Sequence, residues 1–186
     1  MPVTVETYER VALEDPEGNW ELVCGQLRRK PGMTMRHNTV SRLMHLALTD
    51  QLPRDDWDVA ANMARVRVPD GSHYIPDVVV IPIAAKDARG WDSTGLEAYE
   101  PAVPFVAEVW SPSTGEYDAE SKVPGYMARG DREIWFVDLR DQTIRRHVRQ
   151  PDGGYQTSHH RRGRLVLASL PGVTLDMDAI FRQVRL

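Results

Sequence analysis

The chain has 186 residues, of which 41% are hydrophobic, and its formal net charge is −4. This length suffices for one well-cored domain, so we expect a single domain over residues 1–186. No stretch approaches the roughly 20 apolar residues that span a bilayer, and the first residues do not resemble a secretion signal. The only cysteine, Cys24, cannot form an intramolecular disulfide or, by itself, a zinc site. A cytoplasmic location is the default expectation.

Charge is distributed unevenly along the chain. The net charge of −4 argues against an avid nucleic-acid binder. Residues 1–24 hold six acids against one arginine, whereas residues 145–164 hold six arginines against one aspartate. The second segment could present a basic face to a polyanion, or it could be a solvated hairpin. The sequence leaves both interpretations open.

Three elements are predicted in the first third of the chain. Residues 4–12 favour a short helix, and residues 20–29 favour a tight hairpin. Residues 36–52 place apolar side chains at the i, i+3, i+4, i+7 and i+8 spacing of an amphipathic helix. Pro53 then ends this helix, because proline cannot continue it.

Two histidines, His37 and His45, lie almost on one face of the predicted second helix. No carboxylate partners them at the spacing of a zinc site. We therefore expect them on the polar face of the helix or, together with Arg36 and Arg42, in contact with phosphate groups.

From residue 57 the pattern becomes that of strands. Short strands are predicted at 57–61 and 63–68, the second with alternating apolar and basic side chains. Three continuous apolar runs follow, as expected for strands buried on both faces. These runs are Asp77–Ile81, Phe105–Trp110 and Glu133–Val137.

The remaining segments complete the predicted fold. Residues 84–100 resemble a loop, residues 116–130 are mostly helical, and residues 143–174 favour short antiparallel strands. A short helix at 177–181 ends the chain. This order predicts an α/β fold with a mixed (α+β) sheet, flanking helices and peripheral antiparallel hairpins.

Glu108 is the most informative single residue, because both strand faces around it are apolar. Burying an ionised carboxylate without a partner costs several kcal/mol. Such a residue is therefore expected to be paired, protonated or bound to a metal. The sequence alone allows a salt bridge to a nearby arginine as readily as a metal.

Asp77 leads into the buried run that precedes Glu108, and it follows Pro76. An aspartate in that position can simply form a turn. Two acids on central strands can also meet at one end of the sheet, and carboxylates are the preferred ligands of hard cations such as Mg²⁺. We therefore predict a divalent-metal site that Asp77 and Glu108 share.

Lys122 and Glu21 are the further candidates. Lys122 lies fourteen residues after Glu108, where the chain should enter the next helix. An amine beside a metal can orient the attacking water or balance charge on a phosphate. Glu21, near the early hairpin, is a weaker candidate for an accessory acid, and its alternative is an exposed strand residue.

The order Asp77, Glu108, Lys122 resembles the PD-(D/E)xK nuclease superfamily, and more closely its Uma-two branch of restriction endonuclease-like proteins. The likeness spans roughly residues 5–182, and no single motif carries it. The matching segments are Trp20-Glu21-Leu22-Val23-x-Gly25, Pro76-Asp77-Val78-Val79-Val80, Glu108-Val109-Trp110-Ser111-Pro112-Ser113-Thr114, Tyr117-Asp118, Lys122, Tyr126, Glu133-Ile134-Trp135-Phe136-Val137-Asp138 and Leu170-Pro171-Gly172-Val173-Thr174-Leu175.

The resemblance implies a restriction-endonuclease-like core and cleavage of DNA with Mg²⁺ or Mn²⁺. It implies Asp77, Glu108 and the backbone carbonyl of Val109 as metal ligands, Lys122 as the residue that assists the nucleophile, and Glu21 as an accessory catalytic acid. A homodimer would suit cutting of two strands, since each protomer could face one strand.

The sequence departs from the superfamily pattern at the lysine. The usual position, two residues after the second acid, holds Trp110, and Lys122 matches a lysine moved to the following helix. Pro124 comes two residues later, and proline inside a helix costs about 3 kcal/mol. Lys122 is therefore expected to reach the site only if the helix begins near Ser121 or Lys122, with Pro124 in its first turn.

The chain lacks the Gly-x-Ser-x-Gly and Gly-x-x-x-x-Gly-Lys signatures, which argues against serine hydrolases and P-loop enzymes. The leading hypothesis is a Mg²⁺- or Mn²⁺-dependent endonuclease that hydrolyses DNA. The alternatives are a catalytically inactive nuclease fold that binds DNA or protein, and a metal site with only a structural role.

Overall fold

The structure is a computed structural model that describes residues 1–87, 95–110 and 119–184. Some predicted features lie outside these ranges. They are the family-like residues 111–114, the pair at 117–118, part of the predicted loop 84–100 and the start of the predicted helix 116–130.

The first half of the chain combines helices with short strands. The helix α1 begins after Thr4, whose side chain accepts a hydrogen bond from the backbone N–H of Thr7. In chain order the elements are α1 (Val5–Glu14), β1 (Trp20–Val23), β2 (Gln26–Arg29), α2 (Met35–Thr49), β3 (Trp57–Ala60), β4 (Val66–Arg67), β5 (His73–Tyr74), β6 (Val78–Pro82) and α3 (Ile83–Asp87).

The second half contains the remaining strands and two helices. A 3₁₀ turn, Ala119–Lys122, comes directly before the helix that leads to the strand β8. In chain order the elements are β7 (Phe105–Trp110), α4 (Val123–Arg129), β8 (Glu133–Asp138), β9 (Thr143–Arg149), β10 (Tyr155–His160), β11 (Arg164–Val166), β12 (Thr174–Asp176) and α5 (Met177–Arg182).

The central sheet has the strand order β10-β9-β8-β7-β6-β3. The strands β7 and β8 run parallel and are joined through α4, whereas the other neighbouring pairs are antiparallel. Two smaller antiparallel sheets, β2-β1-β5-β4 and β11-β12, lie beside it. This mixed sheet with flanking helices and peripheral hairpins confirms the predicted fold class.

Two predicted elements are shorter than expected. The strand predicted at 63–68 is confined to Val66–Arg67, and in the described part of the helix predicted over 116–130, residues 119–122 form a 3₁₀ turn before the α-helix begins at Val123. Pro124 explains the late start, because its missing N–H is harmless only in the first turn of a helix.

The two faces of the central sheet bury different sets of side chains. Alternation along β6 and β7 sends Val78 and Ala107 to a core shared with α2 and α5. It sends Val79 and Val106 to a second core shared with α4 and the small sheet that contains β1. Glu108 has the same parity as this second set and contacts Tyr126 of α4, whereas Asp77, just before β6, contacts Lys30 and His37 of α2.

Candidate metal centre

Asp77 and Glu108 lie next to the point where two strands pair. The antiparallel register of β6 and β7 pairs Val78 with Ala107, and Asp77 and Glu108 are the next residues beyond this pair. The negative charge of Asp77 helps to raise the pKa of Glu108, as expected for carboxylates that lie near each other. Both residues are 1% exposed. The structure therefore brings the two predicted ligands together on one buried face.

Asp77 is held by three donors. Lys30 Nζ lies 2.7 Å from Oδ1, while His37 Nε2 lies 3.0 Å from Oδ2 and the backbone N–H of Val109 donates to the same oxygen at 2.7 Å. Burial alone would raise the pKa of Asp77, but the charge of Lys30 and the hydrogen bond from His37 outweigh it. The pKa is held well below its ordinary value, so Asp77 is a carboxylate at neutral pH.

Glu108 has fewer compensating partners. Its Oε1 accepts hydrogen bonds from Lys122 Nζ at 3.2 Å and from the hydroxyl of Tyr126. Burial raises the pKa of Glu108 to about 7, because Lys122 offsets only part of the desolvation and the negative charge of Asp77 adds to it. Glu108 therefore exchanges its proton near neutral pH.

Lys122 connects Glu108 to Glu21. Its Nζ lies 2.7 Å from Oε1 of Glu21, and the same oxygen accepts the backbone N–H of Ile75. Lys122 and Glu21 are as buried as the two strand carboxylates. Because Pro124 falls in the first turn of α4, the condition that the sequence set for Lys122 is met, and its amine reaches Glu108. All four predicted side chains thus lie in one cluster.

Two partners of Asp77 were not predicted. His37 is fully buried, so its expected place on the polar face of the helix is wrong. It lies three residues before Val40 on the apolar stripe of α2, and that spacing was the signal available in the sequence. Lys30, which also donates to Asn62 and to the carbonyl of Ile75, follows an exposed strand and gave no local signal.

The buried carboxylates have lysine partners rather than the arginine that the sequence suggested as an alternative to metal. Among the described residues, no group of three or more His, Cys, Asp or Glu side chains is arranged to hold a metal ion. Charge pairing with Lys30 and Lys122 therefore accounts for part of the burial of these carboxylates, without any cation.

Two carboxylate oxygens nevertheless suit a hard cation. Within the described part of the chain, Oδ1 of Asp77 and Oε2 of Glu108 are buried and have no hydrogen-bond donor. Oδ1 does have an ion-pair partner, Lys30 Nζ at 2.7 Å, so Oε2 of Glu108 is the one of the two without any partner among the described residues. A buried acceptor without a partner costs about 1–3 kcal/mol. Both carboxylates offer the oxygen donors that Mg²⁺ prefers, so these side chains fit the ion.

Open space lies beside the cluster. A cavity of about 440 Å³ is lined by residues that include Lys30 and Asn62. A larger cavity of about 790 Å³, between α2 and β3, shares Asn62 with it. Neither cavity has Asp77 or Glu108 among its described lining residues, so neither defines the site.

A crystal structure described as a putative nuclease belonging to DUF820, from Anabaena variabilis ATCC 29413, is similar with a TM-score of 0.76 and 16% sequence identity. The match covers 99% of this chain and 100% of that one, and at this identity it shows a shared fold. The curated proteins give no significant match.

Two further findings bear on the class of protein. In the described ranges, every helix is too short or too polar to cross a membrane. The model of the Uma2 family, described as "Putative restriction endonuclease", matches residues 5–178, which is nearly the whole chain. The chain therefore belongs to the Uma2 family, as the sequence motifs predicted.

Proposed function

We propose that this protein is a divalent-metal-dependent endonuclease that hydrolyses phosphodiester bonds of DNA. The observation that carries the proposal is that the buried carboxylates of Asp77 and Glu108 lie next to the pairing of β6 and β7, with Oε2 of Glu108 left without a hydrogen-bond partner among the described residues. Membership of the Uma2 family supports the nuclease activity. Mg²⁺ or Mn²⁺ is the ion that the donor set favours.

The charges of the cluster support the same proposal. Glu21, Asp77 and Glu108 contribute three negative charges when ionised, and Lys30 and Lys122 contribute two positive ones. Among the described residues, and leaving His37 aside, these five groups carry a net charge of −1. One divalent ion together with one phosphodiester adds +1, which brings the buried cluster to neutrality. Since buried net charge is costly, this composition is suited to that pair of ligands.

Asp77, Glu108 and the carbonyl of Val109 would hold the ion. A divalent cation there would supply polarisation of a phosphoryl oxygen and a lower pKa for water. Lys30 and His37 fix the orientation of the Asp77 carboxylate, since each contacts a different oxygen. Lys122 places a positive charge beside Glu108, where it would balance charge that builds on the phosphate. Glu21 positions Lys122.

A second candidate is a nuclease fold that binds DNA or protein without cutting. One observation favours it: Lys30 already lies 2.7 Å from Oδ1 of Asp77, so a metal must compete with Lys30 for that oxygen. Cleavage, rather than binding, distinguishes the two candidates. The single domain over residues 1–186 remains a prediction. The homodimer also remains a prediction, and sedimentation velocity of the full chain measures the oligomeric state.

Supercoiled plasmid tests the proposal directly. Purified protein with Mg²⁺ or Mn²⁺ is expected to nick or linearise the plasmid, and Asp77→Asn and Glu108→Gln are expected to reduce the rate at least 100-fold. Asp58→Asn is the matched control, because Asp58 pairs with Lys86 near the surface and is outside the cluster. Cleavage that survives both cluster substitutions would overturn the proposal, as would its absence over a range of DNAs.

A further inference from the structure

Lys30 connects the candidate centre to open space. It follows β2 directly, and only 7% of its surface is exposed. Its Nζ lies 2.7 Å from Oδ1 of Asp77, and it donates hydrogen bonds to Oδ1 of Asn62 at 2.8 Å and to the carbonyl of Ile75 at 2.7 Å. Three oxygens therefore surround one ammonium group. Among the described residues that line the cavity of about 440 Å³, Lys30 is the only member of the cluster.

The ammonium group of Lys30 occupies a position that a metal ion needs. An ion that binds Oδ1 of Asp77 at about 2.1 Å brings a second positive charge close to Nζ. Two cations repel each other strongly in a buried site, where water screens them little. The flexible four-carbon stem of a lysine and the cavity beside it give Nζ another place to go. We therefore expect Lys30 to leave Oδ1 when an ion binds there.

The cavity beside Lys30 is suited to an anion. Arg29, which is exposed, adds a second positive charge to its wall, and the described lining residues include one acid, Glu17. Asn62 adds an amide. The amide oxygen of Asn62 accepts from Lys30, and its NH₂ group has no acceptor within the described ranges. Lysine, arginine and amide donors are the groups that contact phosphate oxygens in nucleic-acid complexes.

We propose that Lys30 exchanges partners when the substrate binds: it neutralises Asp77 in the metal-free protein, and it binds a phosphate group of the DNA in the adjoining cavity when an ion takes Oδ1. This inference rests on the proposed function and adds a residue that contacts the substrate. The exchange keeps the buried charges balanced, because the ion replaces Lys30 beside Asp77 and the phosphate replaces Asp77 beside Lys30. The ion and the phosphodiester therefore bind cooperatively.

Calorimetric titration of the metal-free full chain with Mn²⁺ tests the first half of the exchange. Lys30→Met keeps a similar length without the charge, and it should bind Mn²⁺ about tenfold more tightly than the wild type, because Lys30 no longer competes for Oδ1. A lysine with only a structural role would instead leave the affinity equal or weaker.

Two further variants control this titration. Arg29→Met removes a positive charge from the same cavity wall but not from Asp77, and it should change the Mn²⁺ affinity by less than about twofold, since exposed charges are screened. Lys30→Arg keeps a cation beside Asp77 and should stay close to the wild type. Circular dichroism in EDTA checks that each variant folds.

Diethyl phosphate, a stable phosphodiester with one negative charge, tests the second half of the exchange. At a saturating concentration it should tighten Mn²⁺ binding by the wild type about fivefold relative to sodium chloride at the same concentration, because Lys30 gains a new anion. Lys30→Met should lose this gain, whereas Arg29→Met should retain it. The wild-type comparison needs no variant, so it holds even where Lys30→Met does not fold.

The exchange would be overturned by a folded Lys30→Met that binds Mn²⁺ no more tightly than the wild type. It would also be overturned by a wild type whose Mn²⁺ affinity does not respond to diethyl phosphate. In either case, plasmid cleavage that depends on Asp77 and Glu108 would leave the proposed function standing. The expected changes in a protein that never cuts DNA would overturn the proposed function alone. Absence of Mn²⁺ binding by both the wild type and Lys30→Met would overturn both.

Discussion

The two carboxylates of the candidate centre differ in how the protein compensates them. Asp77 has a side-chain partner at each oxygen, Lys30 at Oδ1 and His37 at Oδ2, and a backbone N–H adds a third donor. Glu108 has one lysine and one tyrosine, both at the same oxygen. The pKa shifts follow: that of Asp77 is lowered, whereas burial raises that of Glu108 to about 7. Asp77 is a preformed anion, while Glu108 still lacks positive charge.

This difference indicates what an added cation would change. Near pH 7 a proton on Glu108 supplies the positive charge that the cluster lacks. A divalent ion would replace that proton, with little rearrangement around Asp77. Substitutions at the two carboxylates should therefore have unequal effects on the metal-free protein.

The largest effect is expected at Asp77. Asp77→Ala leaves Lys30 and His37 buried without their anion, and breaking a buried pair in this way costs about 3–5 kcal/mol of unfolding free energy. Urea denaturation followed by circular dichroism measures it. Asp58→Ala, which breaks an ion pair with a partly exposed lysine, should cost about 0–1 kcal/mol. Equal losses of unfolding free energy in Asp77→Ala and Asp58→Ala would contradict the claim that Asp77 is the anion of a buried ion pair.

A smaller effect, with a defined pH dependence, is expected for Glu108→Gln in metal-free protein. The folded-state pKa of Glu108 is raised above its ordinary value of 4.5. Glu108 therefore destabilises the fold as pH rises from about 4.5 to 7, because only the unfolded state ionises there. The variant should gain on the order of 1–3 kcal/mol relative to wild type over this window.

Denaturant midpoints of both proteins in EDTA at several pH values between 4 and 8 check this prediction. Asp77→Asn serves as the contrast, because its difference from wild type should stay constant from pH 4 to 8. The pKa of Asp77 is lowered, so its contribution is present above pH 3.8 and is lost as pH falls below it. A flat difference between Glu108→Gln and wild type from pH 4 to 8 would contradict the raised pKa.

The smallest effect is expected at Tyr126. Tyr126→Phe removes one hydrogen bond to Glu108 and should cost about 1 kcal/mol, while raising the pKa of Glu108 further. Tyr74→Phe is a fair control, because the Tyr74 ring packs edge-on against Tyr126 with centroids 5.4 Å apart. Chemical denaturation of each phenylalanine variant measures the loss of stability. Repeating it over a range of pH, with and without Glu108→Gln, measures the change in the pKa of Glu108. Identical behaviour of the two phenylalanine variants would show that the Tyr126 hydroxyl does not support Glu108.

Much of the fold could be predicted from local patterns. The apolar runs of β6, β7 and β8 are continuous, and their burial follows from composition alone. An acid inside each of two such runs is an anomaly that the sequence shows directly. The cross-strand pairing of Asp77 with Glu108 depends on register, which the sequence does not specify for strands buried on both faces.

The cationic partners could be predicted less well, because their contacts join distant parts of the chain. Lys30 is forty-seven residues from Asp77 in the sequence, and nothing in its own strand distinguishes it from a surface lysine. His37 was discoverable, since it continues the apolar stripe of α2. The sequence shows that Lys122 can reach the site only if Pro124 lies in the first turn of the helix. Only the structure shows that α4 begins at Val123.

The central claim is that Asp77 and Glu108 share a divalent cation. Calorimetric titration of the metal-free protein with Mn²⁺ at pH 7.5 tests it most directly, alongside Glu108→Gln, which keeps the shape and the hydrogen bond from Tyr126. The account predicts Mn²⁺ binding by the wild type that is lost or weakened at least tenfold in Glu108→Gln. No binding by the wild type, or unchanged binding in the variant, would contradict it.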